Sequence, residues 1–181
     1  MKSACKLKLN ISNLAKGFKV DKKFFKDVAK KTLKLINLSI KDCIGGVLEV
    51  DLAFVSEEEM RKINKVWRGK NKPTDVLSFS DMSVPQGRLA RDFNLQKSVK
   101  VKKITKKENK IFFEEGNLMQ IIICPAYAKK QEKKLKYSQK QELAMLMSHG
   151  ILHVLGYDHE RSKKEEEVMW AVQDKISEEF E

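Results

Sequence analysis

All three histidines of the chain lie in one stretch, HGILHVLGYDH, which runs from His149 to His159. On a helix, side chains four residues apart lie one above the other, so His149 and His153 can offer two imidazoles to one point. Gly156 permits the left-handed conformation in which helices often end, and that turn lets His159 approach the same point from the side. Three convergent imidazoles predict a metal site. For zinc, the open fourth position is typical of a catalytic site.

The H-x3-H-x2-G-x2-H spacing is similar to the zinc motif of the metzincin proteases. In that motif a glutamate follows the first histidine and acts as the general base. Here the same position is Gly150, which has no side chain to accept a proton. The pattern therefore favours a metal site and disfavours proteolysis. Imidazole ligands also suit nickel and cobalt, so the spacing leaves the identity of the metal open.

Alternating apolar residues and capping residues predict the elements that position these histidines. Strands are predicted at residues 5–12, 47–55, 74–80 and 119–124, and the last is apolar on both faces, as in a central strand. Helices are predicted after an Asp21 N-cap, at Pro125 and at three capping boxes, which begin at Ser56, Ser138 and Ser162. The fold class predicted is α/β (α+β): a single domain with a mixed sheet of about four strands packed with four to six helices. The helix after Ser138 would be the metzincin-like zinc helix.

Residues 83–118 fit this scheme least well. They include Pro85 and Gly87, and seven lysines lie between Lys97 and Lys110. The alternation in VKVKKI and IFF is compatible with a hairpin that has TKKENK at its tip, and equally with a long loop.

The distribution of charge favours a polyanionic partner. The chain of 181 residues has a formal net charge of +12 and a pI of about 9.5. Residues 1–41 carry twelve lysines against Asp21 and Asp27, whereas residues 157–181 carry four basic and nine acidic side chains. Nucleic acid and an anionic membrane surface both fit the excess, and lysines also serve solubility alone.

Cysteines and apolar runs indicate the compartment. The three cysteines are far apart and form no CxxC, which favours free thiols in a reducing compartment over a disulfide framework. The first residues lack the apolar core of a signal peptide, and no run approaches the roughly 18 apolar residues that span a bilayer. We therefore expect a soluble cytoplasmic protein with no membrane partner.

Two motifs resemble those of the YbeY family, bacterial zinc-dependent endoribonucleases that act in ribosomal RNA maturation. HGILHVLGYDH resembles the family signature H-G-x-L-H-L-x-G-Y-D-H, with Val154 where leucine is usual. NKVWRGKNKPTDVLSFS, residues 64–80, resembles N-x-x-[YW]-R-x-x-x-x-[PA]-T-D-V-L-S-F. The resemblance covers nearly the whole chain and implies one YbeY-like metal-dependent hydrolase domain over residues 1–181. Residues 83–118 would be a lysine-rich insertion or hairpin, longer than the family usually needs.

The resemblance also implies roles for individual residues. His149, His153 and His159 would bind one zinc ion, and Arg68 would face the metal cleft as the family's functional arginine. A guanidinium can grip two phosphate oxygens at once, which supports that role, although an arginine at a helix C-terminus also pairs with the helix dipole. Thr74, Asp75 and Ser78 are expected to shape the cleft. The family usually has a Gly-Asp pair where this chain has Met119 and Gln120, so no role for that acidic residue transfers.

The expected reaction is cleavage of single-stranded ribosomal RNA, with ribosomal particles or assembly factors as partners. A zinc-bound hydroxide would attack the phosphodiester or act as base on the ribose 2′-OH, and the sequence does not decide between the two. Asp158 would orient a histidine, or it would be a turn residue after Gly156. Trp67 and Tyr157 would stack on bases or form the cleft wall. Two other functions stay open at this point: a zinc peptidase, and a ribosome assembly factor with little catalysis.

Overall fold

The computed structural model of the chain describes residues 6–38, 43, 46–80, 102–105, 112–115, 119–132 and 137–181. It confirms the single α/β domain with a four-stranded mixed sheet. The strands and helices follow one another as β1 Lys6–Asn13, α1 Lys22–Leu35, β2 Val47–Phe54, α2 Glu57–Arg68, β3 Val76–Ser80, β4 Lys102–Thr105, β5 Phe112–Glu115, β6 Met119–Ile123, α3 Pro125–Glu132, α4 Gln139–Val154 and α5 Lys163–Glu179.

The main sheet has the strand order β1-β2-β6-β3. Strands β1, β2 and β6 are parallel, and β3 runs antiparallel to β6. The position of β6 between two strands confirms the prediction of a central strand, and its residues Ile121, Ile122 and Ile123 are fully buried. Since successive side chains point to opposite faces, Ile121 and Ile123 join the core under α1, α4 and α5, while Ile122 packs with α2.

The predicted helix boundaries are confirmed at most positions. Asp21 caps α1, and reciprocal capping boxes begin α2 at Ser56 and α4 at Ser138. Gly69 ends α2 with a φ of 68°. At α5, Ser162 accepts the Glu165 N–H, but the Glu165 carboxylate does not close the predicted box; it accepts the Asp158 N–H instead.

A second, two-stranded sheet confirms the hairpin alternative for part of residues 83–118. Strands β4 and β5 pair antiparallel, with Lys102 opposite Glu115 and Thr105 opposite Phe112. The rest of that segment, including the predicted TKKENK tip, lies outside the described residues.

The cysteines differ from expectation at one position. Cys43 is disulfide-bonded, whereas the spacing favoured free thiols, and Cys124 is free and buried. Within the described ranges, no helix is both long and apolar enough to cross a membrane.

Candidate metal centre

The three histidines meet at one point on the surface of the domain. The ring centroids of His149 and His153 are 4.4 Å apart, and that of His159 lies 5.4 Å and 5.3 Å from them. The ligand atoms of the three side chains lie within 4.8 Å of one another, and the Nε2 atoms of His149 and His153 are 2.9 Å apart. All three rings are half-buried, so each keeps one side open to solvent. This convergence is what the four-residue spacing on a helix predicted.

Gly150 decides how closely the histidine helix approaches the sheet. A Cβ built on Gly150 would lie 2.7 Å from Cγ2 of Ile121 on β6 and 3.1 Å from its Cδ1. Carbon atoms do not approach that closely without a shift of the structure, so α4 can pack against β6 at this distance only with glycine at position 150. Position 150 therefore faces the sheet and cannot present a general base to the metal site.

A tight turn after α4 brings the third histidine into place. Gly156 adopts a φ of 90°, its N–H donates to the His153 carbonyl at 2.9 Å, and the Tyr157 N–H donates to the Leu152 carbonyl at 3.0 Å. This is the Schellman pattern, which satisfies the last carbonyls of the helix. The left-handed turn predicted at Gly156 is thus confirmed.

Two charged residues hold the loop that carries His159. The Glu165 carboxylate accepts the Asp158 N–H at 2.9 Å and forms an ion pair with Arg161. Arg161 also donates to the Gly156 carbonyl at 3.2 Å. The loop between α4 and α5 is therefore tied at both ends by Arg161, for which the sequence predicted no role, and by Glu165, which was predicted to complete a capping box.

Gln173 on α5 fixes the orientation of His149. Its Oε1 lies 2.8 Å from Nδ1 of His149, and the side chain is 8% exposed. Because His149 turns Nε2 toward His153, the proton belongs on Nδ1, where an amide oxygen can accept it. No role for Gln173 was predicted from the sequence. Its position directly after Val172, a residue of the apolar stripe of α5, was the one indication that this polar side chain is buried.

Burial keeps the two helical imidazoles neutral. It is the main reason that the pKa of His149 lies below its usual value; the hydrogen bond to Gln173 and the Asp75 charge act in the opposite direction. Burial, followed by the neighbouring histidines, lowers the pKa of His153 to about 4. Neutral imidazoles have the lone pair that a metal ion requires, so both side chains are ready to act as ligands at neutral pH.

Arg68 lies at the C-terminal end of α2 and is exposed. Its positive charge is the smallest of the influences that lower the pKa of His149, after burial and the neighbouring His159. Asn64, the first residue of the same motif, donates from Nδ2 to the Lys72 carbonyl at 2.7 Å and is 2% exposed. This contact ties the segment after α2 back to the helix that carries Arg68.

The remaining motif residues line the start of β3. Thr74 donates to Oδ1 of Asp75 at 2.9 Å, and the same oxygen accepts the Val76 N–H at 2.8 Å. Ser78 pairs with Ile121 in the sheet register and is half-buried. Alternation from the buried Leu77 places Ser78 on the side of the sheet that α4 covers.

Asp158 and the two aromatic residues are also placed. The Asp158 carboxylate accepts the Glu160 N–H at 2.9 Å in the turn, and its charge raises the pKa of His153. Trp67 packs against Phe79 with ring centroids 5.5 Å apart, and Tyr157 packs against the main core. Trp67 therefore packs on the side of the sheet that α2 covers, and Tyr157 packs on the side of α4.

The donor set fits a divalent metal ion. Tetrahedral zinc bonds of 2.0–2.1 Å to nitrogen place two ligand atoms roughly 3.3 Å apart. The His149 and His153 nitrogens are within about half an ångström of that separation, so small rotations of these two rings would bring them to it. Within the described residues this is the one group of three or more potential ligands that could hold a metal.

The fold is α/β, and its candidate metal centre combines two imidazoles on α4 with a third from the following turn. This defines the class: an α/β protein whose histidine group could hold a metal ion, as in metal-dependent hydrolases. Comparison with known proteins agrees with this class. The family model described as Endoribonuclease YbeY matches residues 10–181. The chain therefore belongs to the YbeY family of hydrolytic endoribonucleases.

Individual relatives support the same assignment. The chain is 35% identical over 157 residues to the endoribonuclease YbeY of Sulfurihydrogenibium sp. (strain YO3AOP1). The aligned residues make up 87% of this chain and 82% of the relative. It is 40% identical over 139 residues to that of Leptospira interrogans, covering 76% and 91%. A solved structure, TM1509 from Thermotoga maritima, is similar with a TM-score of 0.51 and 25% identity, covering 96% of this chain and 89% of that one.

Proposed function

We propose that this protein is a zinc-dependent endoribonuclease that cleaves single-stranded RNA during ribosomal RNA maturation and ribosome quality control. The observation that carries the proposal is the convergence of three imidazoles, whose ligand atoms lie within 4.8 Å of one another. Two of them are on α4, whose Gly150 contacts the sheet, and the third comes from the following turn. This geometry supports a metal-dependent hydrolase and leaves no space for the glutamate that a metzincin-type peptidase needs. Family membership supports RNA as the substrate.

His149, His153 and His159 would hold the zinc ion through ring nitrogens. A bound zinc ion supplies a water that ionises near neutral pH and a positive charge beside the scissile phosphodiester. The hydrogen bond from His149 to Gln173 keeps the Nε2 lone pair of His149 directed at the site. The ion pair of Glu165 with Arg161 holds the His159 loop, so the third ligand is positioned before an ion binds.

Arg68 would bind the phosphate of the substrate. Its guanidinium is always charged, is exposed, and lies near enough to His149 to affect that side chain's pKa. Two N–H groups of one guanidinium can donate to two phosphate oxygens, which both orients the phosphodiester and stabilises charge that develops on it. The Asn64 contact with Lys72 supports this role because it fixes the end of the helix from which Arg68 extends.

Thr74, Asp75 and Ser78 would form the wall of the cleft opposite the histidines. The Asp75 carboxylate is held by Thr74 and by the backbone of β3, and its negative charge favours protonation of His149. Asp158 would act electrostatically on His153 from the turn. We extend the domain to the whole chain, residues 1–181, with the lysine-rich segment around β4 and β5 as an insertion, and we place the protein in the cytoplasm with ribosomal particles.

Cleavage of a labelled single-stranded RNA by wild type and by Arg68→Ala tests the proposal. The matched control is Arg61→Ala, which removes an exposed arginine from the same helix. Each protein is purified identically and assayed for bound zinc. We expect wild type and the Arg61 variant to cleave alike, and the Arg68 variant to lose about 100-fold or more in kcat/KM at equal zinc content, as expected for loss of a phosphate-binding charge.

Equal cleavage by the Arg68 variant would contradict its phosphate role. Equal cleavage by a metal-free His153→Ala variant would show that a contaminating ribonuclease causes the activity. In that case the function left is a ribosome assembly factor, tested by co-sedimentation of the catalytically silent protein with ribosomal particles.

A further inference from the structure

Helix α1 concentrates positive charge on the face that points away from the core. It contains six lysines and one acidic residue, Asp27, in fourteen positions. At 3.6 residues per turn, Lys23, Lys26, Lys30 and Lys34 fall within roughly an 80° arc of the helix surface. All four are exposed, whereas Phe25, Val28 and Thr32 on the opposite side are buried. We refer to these four residues as the α1 lysine face.

This arrangement is unfavourable for the isolated helix. Lys26, Lys30 and Lys34 follow one another at four-residue intervals, where like charges repel. Lys22 and Lys23 occupy the first turn, where the helix dipole favours acidic side chains, and that turn has none. The ion pairs among the described residues involve other basic groups, such as Lys31 with Glu179. The repulsion on the α1 lysine face is therefore not relieved by these pairs.

Several other lysines of the chain, including Lys31 on α1 itself, are paired with acidic side chains. On α2, Lys62 forms an i,i+4 pair with Glu58, and on α3 Lys130 pairs with Glu57. A lysine excess that served only solubility would be dispersed or paired in the same way. A polyanion, in contrast, would neutralise four adjacent charges together, and this explains why they share one face.

The α1 lysine face is separate from the candidate metal centre. The buried side of α1 packs on the core that contains α4, and the ring of Phe24 lies 6.0 Å from Nζ of Lys140 near the start of α4. His149 and His153 are on the last turns of α4. The lysines thus lie on the far side of α1 from the histidines, and an RNA in the cleft would have to continue around the domain to reach them.

We infer that the α1 lysine face is a second RNA-binding surface, which holds the phosphate backbone of a long RNA while a distant segment enters the metal cleft. The inference rests on the proposed function for the identity of the polyanion. The structural observation behind the inference is independent of the proposed function, because it concerns the placement of the lysines and not the histidines. It predicts that binding through this face depends on salt and on RNA length, and that it carries no sequence preference.

The test replaces Lys23, Lys26, Lys30 and Lys34 together with glutamine. The control variant replaces Lys65, Lys129, Lys164 and Lys175, which take part in none of the ion pairs above, with glutamine. These are four exposed lysines on other helices, so both variants change the net charge equally. Binding of a long single-stranded RNA and of a six-nucleotide RNA is measured over a range of salt concentrations. Cleavage of the six-nucleotide RNA reports on the cleft alone.

We expect the α1 variant to bind the long RNA at least about tenfold more weakly. Its salt slope should be lower by about 2 to 3, because each phosphate that a lysine neutralises on a single strand contributes roughly 0.7. Its cleavage of the six-nucleotide RNA should match wild type, and its thermal unfolding temperature should be equal or higher because repulsion has been removed. The control variant should retain most of the long-RNA affinity.

Three results would overturn the inference. One is unchanged long-RNA affinity in the α1 variant, and another is an equal loss in the control variant, which would indicate net charge alone. The third is retained RNA binding with loss of binding to vesicles rich in anionic lipid, which would assign the face to a membrane surface. If wild type binds long RNA but does not cleave any RNA, the proposed function fails, while the binding comparison still decides the role of the α1 lysine face.

Discussion

Replacing Gly150 with alanine tests directly whether the close approach of α4 to the sheet positions the histidines. The added Cβ would lie 2.7 Å from Cγ2 of Ile121. Ile121 cannot move away easily, because it is fully buried, β-branched and part of β6, which is hydrogen-bonded to strands on both sides. The helix must therefore shift outward or Ile121 must adopt a strained rotamer.

Two opposing effects set the size of the change. Alanine is favoured over glycine in a helix by about 0.8–1.0 kcal/mol. Overpacking of a well-filled core costs typically about 1–3 kcal/mol. We therefore expect Gly150→Ala to lower the free energy of unfolding by about 1 kcal/mol, where an exposed glycine in a helix would give a gain of similar size. Since His149 precedes the shifted residue, zinc affinity should fall as well.

A double-mutant cycle with Ile121→Ala isolates the contact. Ile121→Ala alone removes the atoms that would clash and should cost about 2–5 kcal/mol. In that background Gly150→Ala should become stabilising by about 1 kcal/mol or more, because the new methyl group enters vacated space. The coupling energy between the two sites should then be about 2 kcal/mol. Urea unfolding of the metal-free proteins measures all four free energies, and chelator competition measures zinc affinity.

The reasoning fails if Gly150→Ala stabilises the protein in the wild-type background, or if the two substitutions are additive. Either result would mean that α4 and β6 are separated widely enough for a side chain at position 150. Steric packing would then not account for glycine at that position, and a functional reason would be required.

Three further predictions concern single residues. Gln173→Met should weaken zinc binding about 10- to 100-fold, as measured by chelator competition. Gln173→Glu, which still accepts the His149 proton, should bind zinc as wild type does. Equal zinc affinities of the Met variant and wild type would show that Gln173 does not support the site. Burial holds the pKa of His153 at about 4, below the usual 6.5, so the unfolded chain binds protons that the folded chain does not. The metal-free protein should therefore lose stability as the pH of urea titrations falls from 6.5 towards 4. The expected loss is about 1–3 kcal/mol after allowance for the partial exposure of the ring, and His153→Gln should flatten this dependence. Gly69→Ala should cost only about 1 kcal/mol in urea unfolding and leave zinc affinity unchanged, because its φ of 68° is strained for alanine although a Cβ there meets nothing within 4 Å.

Patterns within single elements were readable from the sequence because their causes are local. Periodicity located the four strands of the main sheet, and the side chains that cap helices identified where α1, α2 and α4 begin. The convergence of His149, His153 and His159 follows from helix geometry and one left-handed glycine, so it too was predictable. The expectation that Arg68 faces the histidines depended on the resemblance to a family, because no local pattern connects α2 with α4, and it stays a prediction.

Contacts between elements distant in the chain required the tertiary structure. Gln173 reaches His149 across 24 positions, and its hydrogen bond exists only because α5 packs against α4. The role of Gly150 likewise depends on its distance from Ile121, which lies on a strand 29 positions earlier. The sequence by itself determined which residue types could bind a metal and on which helix they lie. The packing of the helices against the sheet decided which ring nitrogen of His149 faces the site and that Gln173 orients this ring. It also decided why a glycine, and not a base, follows His149. All of these depend on distances between elements that no local pattern encodes.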